Sequence, residues 1–172
     1  PLYQPFNIQN RIRHKIQRWR LQDPLAHTTK RIRANIRDIN AWCRPCVGSA
    51  VLRTIWNGWP TSARMRTLTA ANDTSPCVFG CEASDDRIEH YLLCGKVWHF
   101  LSAPLPYGLG LNPTRRHLQA MLLAERGMDK HEKITIAVSV YAVMRSVHTA
   151  RLSGSCDDAS KLLKFHSSVG LH

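Results

Sequence analysis

The chain has 172 residues, of which 44% are hydrophobic and 21% are charged, a composition ordinary for a globular protein of one domain or one domain with an extension. Six cysteines are few for this length, and no charged-then-apolar signal segment opens the sequence. Both features argue against a disulfide-stapled secreted domain and favour a reducing intracellular compartment, nuclear or cytoplasmic. No apolar run reaches the length of a membrane span, so we expect no membrane partner. Because the sequence begins with Pro1 and not with Met, we expect a fragment of a longer protein.

The positive charge is concentrated in the first part of the chain. The net charge is +12, and residues 1–75 hold 13 Lys and Arg against three acids, whereas residues 76–172 hold 11 against nine. A basic half beside a nearly neutral half predicts a polyanionic partner, and RNA or DNA is the commonest one. The alternative is a plain basic surface that serves solubility.

Two basic amphipathic helices are predicted first, over residues 6–22 and 25–43, with Asp23-Pro24 between them as the break. Their apolar residues recur at spacings of three and four, and we expect these stripes to form core: Ile8, Ile12, Ile16 and Trp19, then Ile32, Ile36, Ile39 and Trp42. The candidate nucleic-acid contacts are basic residues of these helices and of the segment after the third helix: Arg11, Arg13, Lys15, Arg18, Arg20, Lys30, Arg31, Arg33, Arg37, Arg64 and Arg66.

The remaining elements are also predicted to be helical. A third short helix over 47–55 ends at an Asn-Gly turn, and a polar helical fragment follows within 61–76. Residues 87–102 and, more weakly, 114–125 are predicted as helices. The last segment, 129–151, has the Asp-x-x-Glu spacing of a capping box, and its apolar residues alternate as in a strand, but its length favours a buried helix. The predicted fold class is therefore mostly α.

These elements suggest four parts of the chain. Residues 1–60 form a basic helical segment and residues 61–102 a metal-binding region. Residues 103–153 supply helices that pack on that region, and residues 154–172 form a polar, flexible tail.

Four residues have the spacing of a structural zinc site, Cys77-x3-Cys81-x8-His90-x3-Cys94. Zinc prefers thiolate and imidazole ligands in a four-coordinate tetrahedron, and such a set leaves no open position for catalysis. Gly80 permits a tight turn between the first two ligands. Asp86 and Glu89 have capping-box spacing, so we expect a helix from about Arg87 that carries His90 and Cys94 on one face. One structural Zn²⁺ ion is predicted.

Cys43 and Cys46 form a second pair, separated by two residues. Such a pair is half a zinc site, a redox dithiol, or a buried or helix-end pair of thiols. We favour the last interpretation, because no further pair remains to complete a site and the α/β context of a redox motif is absent. The role of this pair stays open.

A longer stretch, from Arg53 to Leu101, carries a resemblance to a known family. It reads Arg-Thr-Ile-Trp-Asn-Gly-Trp-Pro-Thr-Ser-Ala-Arg, then Cys-x3-Cys, then Arg-Ile-Glu-His-Tyr-Leu-Leu-Cys and Val-Trp. This pattern resembles the zinc-binding region downstream of the polymerase domain in reverse transcriptases of non-LTR (LINE-type) retrotransposons. The resemblance implies a C-terminal fragment or remnant of a retroelement polyprotein, which helps to hold template RNA or target DNA. The basic helices would then be thumb-like or a linker, and the rest of the polyprotein would be a partner.

No catalytic motif is present. Asp85-Asp86 and Asp157-Asp158 lack the aromatic residue of a polymerase metal turn, and we expect them to be helix caps or solvated charges. We therefore predict a non-catalytic nucleic-acid-binding module, in which Trp19, Trp56 or Trp59 stacks on unpaired bases if exposed. The alternatives are a zinc-stabilised domain that binds an acidic protein and, with less support, a metal-dependent nuclease using Asp85 or Asp86.

Overall fold

The computed structural model describes residues 8–21, 23–69, 76–81, 86–101 and 114–153. These ranges are mostly helical and contain no strand, which confirms the predicted fold class. The helices are α1 Ile8–Ile16, α2 Leu25–Trp42, α3 Pro45–Ile55, α4 Ser62–Thr69, α5 Ile88–Leu93, α6 Gly95–Leu101, α7 Leu118–Met121 and α8 Lys130–Ser153. Short 3-10 turns follow α1 (Gln17–Trp19) and precede α7 (Arg115–His117). The predicted tail, 154–172, lies outside the described residues, and the predicted division of the chain into four parts stays a prediction.

The two basic helices bury most of their apolar stripes as predicted, but Ile8 is only half-buried and Trp42 is exposed. Ile12, Ile16 and Trp19 are 1% exposed or less, and the isoleucines of the α2 stripe are also buried. Trp42, however, is 39% exposed, so its assignment to the core is wrong. It is the last residue of α2 and lies beneath the ammonium groups of Lys130 and Lys133, which stand 5.1 and 5.7 Å from its ring centroid.

The first helix is shorter than the sequence predicts. It ends at Ile16, passes through the 3-10 turn, and stops at Arg20, which has a left-handed backbone with φ 48°. The left-handed conformation of Arg20 therefore ends the helical segment three residues before Asp23-Pro24, where the sequence predicts the break. The turn also places the indole of Trp19 in the core, where its Nε1–H donates to the carbonyl of Ile55 at 3.3 Å.

Helix α8 is the centre of the fold and packs most extensively on α3. The capping box is confirmed, because Asp129 N–H donates to Glu132 and Glu132 N–H to Asp129, both at 2.8 Å. The apolar side chains of α8 are buried on several faces of the helix. A helix buried all round has no single apolar stripe, so periodicity alone could not distinguish it from a strand. No helix among the described residues is long and apolar enough to cross a membrane.

Polar contacts join the second helix to the chain around α7. Asn35 Nδ2 donates to the carbonyl of Leu123 and Arg31 Nε to that of Ala124, both at 2.8 Å. Asp23, just before α2, accepts from Arg31 and from Arg126, and Lys133 pairs with Asp38 at 3.0 Å. These contacts fix α2 against α8 and the loop before it.

Candidate metal centre

The first two candidate ligands lie on a tight turn. Gly80 N–H donates to the carbonyl of Cys77 at 2.9 Å, and Gly80 has φ +79°, a conformation that favours glycine. Phe79 N–H donates to Cys77 Sγ at 3.4 Å. Cys77 is buried and Cys81 half-buried, so the turn presents both sulfurs to one interior point.

The other two ligands come from α5 and from its end. The helix begins at Ile88, as predicted, but the N-cap is Arg87 and no side chain caps it, so the expected capping role of Asp86 is wrong. The predicted single helix over 87–102 is also wrong. It breaks at Cys94, which has φ −71° and ψ 111°, and a second helix starts at Gly95.

The break has a structural consequence for the site. Cys94 is the C-cap of α5, and because its φ of −71° is still helical, its side chain leaves the helix one turn after His90, while ψ 111° redirects the chain that follows. The carbonyl of Leu92, which an unbroken helix would pair with residue 96, instead accepts from Trp98 Nε1 at 2.9 Å. Cys94 also directly precedes the first turn of α6.

The four candidate ligands converge. One ligand atom from each of Cys77, Cys81, His90 and Cys94 lies within 4.8 Å of all the others, and Sγ of Cys81 is 3.3 Å from Sγ of Cys94. Metal bonds of about 2.0–2.3 Å place tetrahedral ligands roughly 3.3–3.8 Å apart, so the cluster has the right size. The cysteines are free thiols, and His90 Nε2 is buried without a hydrogen-bond partner. The donor set therefore fits a metal ion.

The three thiols do not ionise equally without a cation. Hydrogen bonding from Cys94 and from His90 lowers the pKa of Cys77 to about 4. The pKa of Cys94 is raised, because it donates its proton to Cys77 and is buried, and burial also raises the pKa of Cys81. The cluster thus pairs one thiolate with two protonated thiols, whose protons a bound cation would displace.

Asp86 is a buried structural carboxylate that the sequence interpretation missed. It is 0% exposed and accepts hydrogen bonds from Tyr91 Oη, from the backbone N–H of Ser62 and from Arg151. The expectation of a solvated charge is therefore wrong. No local signal could have revealed this role, since Arg151 lies 65 residues further along the chain.

Tyr91 connects this carboxylate to the metal turn. Its hydroxyl accepts from Val78 N–H at 3.3 Å while donating to Asp86, and burial together with Asp86 raises its pKa. Its ring lies 6.1 Å from that of Trp59, 5.9 Å from Phe79 and 5.6 Å from the ligand His90. The candidate ligand His90 therefore packs against a group of aromatic side chains.

The tryptophans suggested for base stacking are mostly inaccessible. Trp19 is 1% exposed and Trp59 0%, so neither has a free ring face. Trp59 Nε1 instead donates to Thr54 Oγ1 at 2.9 Å. Trp56 alone of the three is half-buried.

Most of the candidate nucleic-acid contacts lie on the surface. The exposed ones are Arg11, Arg13, Lys15, Arg18, Arg20, Lys30, Arg33 and Arg37. Arg31 and Arg64 are half-buried, and Arg31 is held by Asp23 and the carbonyl of Ala124. The side chain of Arg66 lies outside the described residues.

The second cysteine pair lies at a helix junction. Cys43 is the half-buried C-cap of α2, and Cys46 is exposed in the first turn of α3. Burial and the nearby Cys46 raise the pKa of Cys43. Within the ranges that the structure describes, no other histidine, cysteine or acid joins them in a group able to hold a metal.

Comparisons with protein-family models, with curated proteins and with solved structures find no match for this chain. The fold and the site define a class by themselves: a mostly helical protein with a Cys3His group that is able to hold a metal ion. The resemblance to the retrotransposon region remains a prediction.

Proposed function

We propose that this protein is a non-catalytic module that binds RNA or DNA, and that one structural Zn²⁺ ion stabilises it. Cys77, Cys81, His90 and Cys94 would hold the ion and leave no open position for a substrate. The module would belong to the C-terminal part of a LINE-type reverse transcriptase, whose remainder is a partner. It would act in a nuclear or cytoplasmic ribonucleoprotein, and the polymerase chemistry would lie elsewhere in the parent protein.

The observation that carries the proposal is the link between the metal helix and the basic helix α1. Arg18, just after α1, forms an ion pair with Glu89, which directly precedes the ligand His90 in α5. A metal-stabilised α5 is therefore in contact with the end of α1. Metal binding would act on nucleic acid only through this scaffold.

The exposed cations form two stripes, one on each basic helix. Arg11, Lys15 and Arg18 recur at helical spacing on one face of α1 and the turn after it, and all are exposed. Lys30, Arg33 and Arg37 do the same on α2. Arg33 donates to Gln9 of α1 at 3.3 Å, which links the two basic helices. Such a surface suits the phosphates of a polyanion.

The nucleic-acid proposal is tested by a salt titration. RNA and DNA should bind with an affinity that falls steeply with salt, and the triple variant Lys30→Gln, Arg33→Gln, Arg37→Gln should lower the slope of log K against log salt by about 2–3. A matched control, Arg115→Gln, Lys130→Gln, Arg145→Gln, removes equal charge from other exposed positions. Equal slopes for the two variants, or weak and salt-insensitive binding by the unaltered protein, would contradict the proposal.

The second candidate function uses the same surface to bind an acidic protein. The exposed cations suit both an acidic protein and a nucleic acid. We choose nucleic acid because of the resemblance to the retrotransposon region. An acidic polypeptide that binds more tightly than RNA and DNA at equal charge would establish the protein partner instead.

The metal proposal has its own test. Native mass spectrometry should find one zinc per chain, lost in Cys94→Ser and retained in Cys46→Ser, because only Cys94 belongs to the cluster. No zinc, two zinc ions, or equal loss in both variants would show that the ligand set is wrong.

A further inference from the structure

A groove lies between the basic helix α1 and the end of α3. Its volume is about 570 Å³, and its lining includes Asn10, Arg11, His14, Lys15 and Trp56. This size falls within the range of about 300–1,000 Å³ that is usual for ligand pockets. None of these lining residues is acidic, and three of them are basic or able to become so, which favours an anionic occupant.

Trp56 differs from the buried tryptophans in its hydrogen bonding. The indole N–H groups of Trp19, Trp59 and Trp98 each donate to a protein oxygen, those of Ile55, Thr54 and Leu92 respectively. The Nε1 of Trp56 is buried and has no partner, although its residue lines the groove. A buried indole N–H normally finds an acceptor, so the described residues leave this donor beside the groove without its usual partner.

We propose that this groove receives one unpaired nucleotide of a single-stranded nucleic acid. The base would pack on the indole of Trp56, since every base has a face that stacks on an aromatic ring. Lys15 and Arg11 would contact the adjoining phosphates. The inference rests on the proposed nucleic-acid binding and assigns it a site.

The combination of features selects this occupant over an acidic peptide. A string of carboxylates would use the cations but would leave the indole of Trp56 without a partner. A nucleotide supplies both a flat apolar ring and an anion within one repeat of the polymer. A paired base has no free face to offer, so a duplex is not expected to enter.

The test compares a short single-stranded oligonucleotide with an abasic strand of equal length and with a duplex. Trp56→Leu keeps apolar bulk but removes the aromatic face, and we expect it to weaken binding of the base-bearing single strand about tenfold. Binding of the abasic strand, binding of the duplex and the salt slope should stay unchanged. Trp56→Phe should retain much of the affinity. The control is Trp42→Leu, at a tryptophan outside the groove, which should change nothing.

A second pair of variants avoids altering a partly buried side chain. Lys15→Glu places an acid in the groove, and Arg13→Glu makes the same charge change at an exposed position of α1 that does not line it. Because Lys15 would contact a phosphate that both strands carry, binding of the base-bearing and of the abasic strand should fall more in the first variant than in the second.

The outcomes separate the two proposals. If the unaltered protein binds neither RNA nor DNA, both proposals are wrong. If it binds with a salt-dependent affinity but Trp56→Leu matches the unaltered protein and Lys15→Glu matches Arg13→Glu, only the groove assignment is wrong. An acidic peptide that displaces the abasic and base-bearing strands equally well would also overturn the groove assignment.

Discussion

At the scale of single residues, Asp86 organises the region around the metal ligands. It joins three helices, because its partners are the start of α4, Tyr91 in α5 and Arg151 near the end of α8. Arg151 also reaches the carbonyl of Pro76, which directly precedes the first ligand, at 3.3 Å. A buried carboxylate is tolerated when it is paired and fully hydrogen-bonded, and Asp86 satisfies both conditions.

Asp86→Asn tests this role. Removal of the charge leaves the partly buried guanidinium of Arg151 without its counter-ion, and we expect the free energy of unfolding to fall by about 3 kcal/mol. The matched control is Glu89→Gln, which breaks an ion pair whose side chains are 33% and 42% exposed and should cost under about 1 kcal/mol. Urea denaturation of both variants, with metal present, measures the difference. Similar losses would contradict a special role for Asp86.

Gly80 provides a second test at this scale. Both Gly80 and Gly127 have positive φ, at +79° and +68°, so alanine at either position should cost about 1 kcal/mol of stability. Only Gly80 shapes the turn between two candidate ligands. Gly80→Ala should therefore also weaken metal affinity, measured by competition with a chelator, whereas Gly127→Ala should not. Equal metal affinities would show that this turn conformation does not matter for binding.

At the scale of elements, hydrogen bonds and ion pairs join Asp23, just before α2, to α7 and to the loop between α7 and α8. Asp23 N–H donates to Gln119 at 3.1 Å, and its carboxylate accepts from Arg126 and Arg31. Hydrogen bonding by Arg126 holds the pKa of Asp23 below its ordinary 3.8, and the charges of Arg126 and Arg31 act in the same direction. A lowered pKa means that the carboxylate stabilises the fold above the unfolded-state value and loses this contribution as pH falls through the folded-state pKa.

Arg126→Gln should raise the pKa of Asp23 towards 3.8. Carboxyl NMR titration measures the pKa directly, and the acid limb of the stability curve should shift to higher pH with it. The control is Arg37→Gln, an exposed arginine of α2 that is not among the causes of the shift. An unchanged pKa in Arg126→Gln would show that this contact does not persist in solution.

At the scale of the whole molecule, the metal ligands lie within a short part of the chain, from Cys77 to Cys94, while the main packing joins α2, α3 and α8. The two regions meet through the Asp86–Arg151 and Arg18–Glu89 ion pairs. Where a metal ion organises its own ligands, metal binding is coupled to folding, and in this protein that applies to the segment from Cys77 to Cys94. The helices α2, α3 and α8 have no candidate ligand.

Metal removal should therefore act locally. After chelation, hydrogen exchange should accelerate for amides of α5 and α6, while those of α2, α3 and α8 keep their protection, because their packing does not use the ligands. Cys94→Ser should reproduce the effect without a chelator. Loss of protection throughout α2, α3 and α8 would instead show that the metal stabilises the entire fold.

The sequence by itself determined the helical class, the charge asymmetry and the four candidate ligands. These properties are local, because spacing of three or four residues sets which side chains share a helix face and which lie near a turn. The confirmed capping box at Asp129 and Glu132 is also a contact between near neighbours in the chain. Stripes of isoleucine predicted most of the buried faces of α1 and α2 for the same reason.

The tertiary structure decided what depends on distant partners. The break at Cys94, the burial of Asp86 and the exposure of Trp42 each involve contacts that no local pattern specifies. Asp86 is buried and paired with Arg151, which supplies the opposite charge from the end of α8, and Trp42, the last residue of α2, is exposed and lies beneath two lysines of α8. The groove beside Trp56 likewise exists only where α1 and the end of α3 meet. Burial is a property of packing between elements, so the sequence could indicate which side chains are apolar but not which faces remain open.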